Sequence, residues 1–119
     1  MFNENNHLDI EITLLTFIEK REINLRILQL FSEEQENVAE RIRQAFLRKD
    51  MQEAKREVHT LGEMLATIGD DSVYPLAKML ENELSRNSGQ ESMLRLIKQL
   101  ADEMFELIQV IKEVTEERQ

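Results

Sequence analysis

Two side chains in this sequence are ready nucleophiles near neutral pH, the imidazoles of His7 and His59, and there is no cysteine to compete with them. His59 follows Val58 and precedes Leu61 in a stripe of apolar residues at helical spacing. That register puts it at the edge of the buried face, close to solvent. Its neighbours one turn either way are Lys55, Gly62 and Glu63, with Ala66 a further turn along. A glycine inside a helix costs about 1 kcal/mol relative to alanine. Gly62 therefore either relieves crowding in the interior or clears room for something to approach His59. His7 stands in a polar segment at the start of the chain and reads as incidental.

Other chemistries find little support. His59 and Glu63 have the spacing of two metal ligands on one helix, but no second histidine joins them, so no metal site is expected. The many carboxylates read as a solvated face, and no glycine-rich phosphate loop follows a strand. A Ser-His-Asp arrangement cannot be placed from spacing alone.

The elements that must position His59 follow from composition and periodicity. The 119 residues suit one domain, and charged residues at 33% with aromatics at 5% suit a helical bundle better than a sheet. A net charge of −9 argues against nucleic acid or an anionic membrane as partner. No run approaches the ~20 apolar residues of a membrane span, and the polar start lacks a signal-peptide core. The expected location is the cytoplasm, with residues 1–7 a tail or linker end and residues 8–119 the domain.

The last segment carries the clearest stripe: Met93, Ile97, Leu100, Met104, Leu107, Ile111 and Val114, with Lys98, Asp102, Glu106 and Lys112 opposite. A second stripe runs through Met51, Ala54, Val58, Leu61, Leu65 and Ile68, between an Asp50–Glu53 capping pattern and Gly69. A third helix is expected from near Asp71 or Ser72 to about Arg86, burying Val73, Leu76, Ala77, Leu80 and Leu84, with Pro75 in or just past its first turn. Asn87, Ser88 and Gly89 make the next turn. Upstream, Ile27, Phe31, Val38, Ile42, Ala45 and Phe46 predict one long helix, although Ser32–Gln35 could cap a break. Asp9 is expected to cap a short first helix carrying Ile12, Leu15 and Ile18, with Leu14 and Phe17 beside them. The fold class is all-α: an antiparallel four-helix bundle with an additional short N-terminal helix.

The stretch VHTLGEMLATIGDDSVYPLAKMLENE, from Val58 to Glu83, resembles the signature of histidine-phosphotransfer (HPt) domains of two-component phosphorelays. The positions that match are His59, Leu61, Gly69, Val73, Leu76, Ala77, Leu80 and Glu81, and the helices upstream resemble the family as well. The resemblance implies that His59 takes a phosphoryl group from a receiver-domain aspartate and passes it to a response regulator. It implies a carrier rather than an enzyme, with no cofactor of its own and Mg²⁺ supplied by the receiver. It also implies that Glu81 bonds one ring nitrogen of His59 and leaves Nε2 as the nucleophile. The family's Lys-Gly pair, three and four residues after the histidine, is Gly62-Glu63 here. The lysine's neutralising charge is therefore missing from its usual place, and Glu63 should repel a phosphoryl group.

The resemblance implies that Lys55, Gly62, Glu63, Ala66 and Glu81 are the His-adjacent and receiver-docking residues, with Lys55 partly compensating the missing lysine. Two other readings stand beside the carrier. One is a degenerate adaptor that docks receivers without accepting phosphate. The other is a purely structural bundle. The expected partners are receiver domains and a parent hybrid histidine kinase, with no nucleic acid and no membrane insertion. The charged exterior favours a monomer.

Overall fold

In the computed structural model, described here for residues 4–19 and 25–117, six helices account for all regular structure. They are α1 (Glu4–Glu19), α2 (Leu25–Gln35), α3 (Val38–Leu47), α4 (Met51–Thr67), α5 (Tyr74–Ser85) and α6 (Gln90–Glu117). Helices α3, α4, α5 and α6 pack in cyclic order as an antiparallel bundle, α2 extends α3, and α1 lies along α6. The 28 residues of α6 rise about 42 Å at ~1.5 Å each. That equals the long axis of the 42 × 25 × 18 Å molecule, so one helix runs its whole length.

Mechanism is visible at the helix ends. The Asp50 side chain accepts from the Glu53 amide at 3.1 Å, which satisfies an orphan N–H at the start of α4. Gly69, at φ 73°, takes the left-handed conformation that ends α4. The next helix starts later than Asp71 or Ser72, at Tyr74, because its cap comes from further back. Asp70 is buried, and its Oδ2 accepts from the amides of Val73 at 2.7 Å and Tyr74 at 3.1 Å while Oδ1 accepts from Ser72 Oγ. Pro75 then falls in the first turn, where a missing N–H is harmless.

The expected single helix over residues 27–46 is interrupted at Glu36 and Asn37. Ser32 and Gln35 do not cap this break; both are buried, and Gln35 Nε2 donates to Met64 Sδ on α4. Arg41 spans the junction. Its guanidinium reaches back to the Glu34 carbonyl and across to the nearly buried Glu57 carboxylate on α4. A helix end thus finds a donor for a carbonyl it would otherwise leave open. On this segment Leu28, rather than the half-exposed Ile27, turns inward.

The first helix also differs from expectation. It includes Glu4–His7, so those residues are not a tail, and Asp9 lies within it rather than capping it. Ile10 and Leu14 are its buried residues, Leu15 and Ile18 pack against the core, and Ile12 faces out; the side chain of Phe17 lies outside the described residues. His7 Nε2 is 2.9 Å from Glu113 Oε2, a contact that ties α1 to α6.

The three core stripes downstream of residue 50 fall as expected, with Val58, Leu61, Leu65, Ile68, Leu76, Ala77, Leu80 and Leu84 all buried. On α6 the whole predicted stripe is buried, but so are Ile108, Val110 and Glu106. Because α1 and α2 cover a second side of α6, its polar face is narrower than a four-helix count requires.

Candidate functional site

His59 lies in the middle of α4, on the side of the helix that meets α5. Val58 and Leu61 are buried beside it, whereas the His59 side chain is 55% exposed. The edge-of-core position expected from periodicity is the one observed.

The ring is held from the neighbouring helix. His59 Nδ1 lies 2.8 Å from Glu81 Oε2 on α5, and Lys78 Nζ donates to the other oxygen, Oε1, at 3.1 Å. Partial burial would on its own raise the Glu81 carboxyl. The hydrogen bonds from His59 and Lys78, with the positive charge of Lys78 behind them, outweigh burial and leave it below the ordinary carboxylate value. An ionised carboxylate can only accept, so Nδ1 must carry the hydrogen in this pair. In the neutral ring the lone pair is then on Nε2, the nitrogen facing away from Glu81. The hydrogen bond to Glu81, and then its charge, raise the Lys78 ammonium above its ordinary value.

The other expected residues are distributed on the same surface. Lys55 and Ala66 are exposed on α4, one turn before and two turns after His59. Glu63 is 70% exposed, and its Oε1 lies 3.6 Å from His59 Nε2, beyond hydrogen-bond length but within Coulombic reach. Gly62 is buried against α5. A Cβ built there would meet only Lys78 Cδ, at 3.9 Å, an ordinary van der Waals distance. The lysine stem thus lies over the place where a Gly62 side chain would begin.

Lys78 was not among the residues singled out from sequence. Its spacing held the signal: Tyr74, Lys78 and Glu81 step by four and three, the positions that share a helix face. The ammonium also sits 5.9 Å from the centroid of the Tyr74 ring, so the lysine is held at both its neighbours. A second cluster lies away from this site, where the ligand atoms of His7 and Glu11 on α1 and Glu113 on α6 converge to within 4.8 Å. Expectation placed no such group there. The cavities at the bundle's end and flanks, one of about 310 Å³ beside Phe46, Met51, Leu84 and Met93, are lined by other residues than His59.

The His59 imidazole is thus oriented by Glu81 on a half-exposed side chain at the α4–α5 side of the bundle, and none of these three cavities includes it. The chain belongs to the Hpt domain family, whose model matches residues 26–113, or 88 of the 119 residues. Domains of this family are phosphocarrier modules of two-component signalling that interact with receiver domains, and they are carriers rather than catalysts. No curated protein and no solved structure matches the chain. Among the described residues no helix is long and apolar enough to cross a membrane.

Proposed function

We propose that this domain carries a phosphoryl group on His59 in a multistep phosphorelay in the cytoplasm, receiving it from a receiver-domain aspartate and delivering it to a response regulator. The observation that carries this reading is the Glu81–His59 pair, which fixes the ring through Nδ1 and leaves the Nε2 lone pair unused by Glu81 on a half-exposed side chain. In the transfer, that lone pair forms an N–P bond as the P–O bond of the aspartyl phosphate breaks, and the aspartate leaves as a carboxylate. The positive charge that develops on the ring is shared through Nδ1–H with Glu81. The reverse step regenerates the free ring. The Mg²⁺ ion of the transfer would be bound and brought by the receiver. The parent of the relay would be a hybrid histidine kinase, and the carrier itself a monomer.

One observation favours a second reading. The Glu63 carboxylate stands 3.6 Å from the nitrogen that would take the phosphoryl group, where it opposes an incoming dianion. A domain with that handicap could dock receivers without accepting phosphate. Incubation with a panel of phosphorylated receiver domains and Mg²⁺ separates the two. The carrier gives acid-labile, hydroxylamine-resistant phosphate on His59, absent from His59→Gln. Receiver binding without label supports the adaptor, and label gained by Gly62→Lys with Glu63→Gly strengthens that reading.

A further inference from the structure

We propose that Lys78, reaching over from α5, is the cation that neutralises the phosphoryl group at His59, in the space that Gly62 leaves open on α4. The inference rests on the carrier reading and adds a residue to it. Two carboxylates flank the ring, Glu81 at Nδ1 and Glu63 toward Nε2, and a phosphoryl group would bring further negative charge to the same few ångströms. Without a compensating cation that site is strongly unfavourable for an anion.

Lys78 meets three requirements together. It stands within hydrogen-bond reach of the carboxylate that holds the ring, Nζ to Glu81 Oε1 at 3.1 Å. It is 46% exposed, so its ammonium can turn from Glu81 toward a group arriving on the surface. Its stem passes over Gly62, with Cδ 3.9 Å from the position of an absent Cβ, one helical turn from His59 on the same side of α4. Gly62 has no left-handed backbone to explain it, since Gly69 is the positive-φ glycine of the described chain. The space it leaves lies beside the lysine. A lysine suits a phosphoryl group that comes and goes, because it is a mobile point charge rather than a fixed fork.

The test uses the whole domain and phosphoramidate, a small phosphoryl donor that needs no cognate receiver. In the step measured, His59 Nε2 forms a bond to phosphorus as the donor's N–P bond breaks, and the amine takes a proton and leaves as ammonia. Labelling of His59 is followed by mass spectrometry on wild type, His59→Gln, Lys78→Met, Lys78→Arg and Lys55→Gln. Lys78→Met keeps an unbranched stem over Gly62 and removes the ammonium, both its charge and its hydrogen bond to Glu81. It should slow labelling about five- to tenfold and flatten its salt dependence, with the helical circular dichroism unchanged. Lys78→Arg should stay close to wild type, and Lys55→Gln should slow labelling less than Lys78→Met does. Adding Gly62→Lys to Lys78→Met returns a cation from α4 itself and should restore the rate. Wild-type labelling in Lys78→Met overturns the assignment, as does a loss confined to Lys55→Gln. Absence of label on His59 in the wild type overturns the carrier reading along with it, so the two failures are told apart.

Discussion

Glu81 accepts from the His59 ring at 2.8 Å across the interface between α4 and α5, and its second oxygen holds Lys78. A single carboxylate therefore orients the imidazole, sets which nitrogen is free and keeps a cation beside it.

That pairing has a pH signature. Glu81 is lowered in the folded state below the ordinary value of about 4.3. A group depressed on folding adds stability that is present above its unfolded value and is lost as pH falls through its folded value. Wild type should exceed Glu81→Gln in stability at pH 7 by at most about 1 kcal/mol, since the pair is partly solvated. The gap should close as pH falls below about 4. Urea melts at a series of pH values measure it, and a gap unchanged at low pH would contradict the ionised pair.

Gly62 should be dispensable for folding. A Cβ there meets only Lys78 Cδ at van der Waals distance, and alanine is the better helix former. Gly62→Ala is expected to raise stability by about 0.5–1 kcal/mol. A lower urea midpoint would show that the backbone needs glycine at this position.

Asp70 caps α5 with three hydrogen bonds while exposed Asp71 has none of that geometry. Asp70→Ala should cost about 1–2 kcal/mol, and Asp71→Ala should lie within about 0.5 kcal/mol of wild type. Equal effects in thermal melts would refute the assignment of the cap.

Arg41 bonds the carbonyl of Glu34 and the carboxylate of Glu57 at the junction of α2 and α3. Arg41→Ala should cost about 1–3 kcal/mol, because Glu57 is left buried without its main partner. Lys cannot serve both acceptors with one ammonium in the same geometry, so Arg41→Lys should recover only part of the loss. Amide exchange should rise first around residues 34–38 in the alanine variant.

The bundle was legible because its core stripes are regular. From Ala54 to Leu84, spacing alone picked out residues that are buried, with Met51 partly buried at the start of the stripe, together with the Asp50 cap and the Gly69 stop. Legibility failed where tertiary contacts set the boundary. Asp70 caps a helix that starts four residues later, and Ser32 and Gln35 are buried by packing that no local pattern encodes. Glu106 reads as surface on a wheel for α6, yet it is buried on a helix that α1 and α2 also pack against. At the site, His59, Gly62 and Glu63 share one helix and could be related by spacing. Lys78 is tied to them only through α5, so its place became visible only when the two helices were docked.

Because the imidazole stands on α4 while its orienting carboxylate and the lysine stand on α5, the proposed phosphoryl site exists only while those two helices stay together. Any excursion that peels α5 away scatters the three side chains at once, leaving an ordinary histidine on a detached helix. Chemical competence and the local opening equilibrium of this interface are therefore one quantity. Mild denaturant should silence labelling in step with exposure of Leu61 and Leu80 to solvent, and a ligand or mutation that tightens the α4–α5 seam should sharpen the reactivity of His59 without touching it.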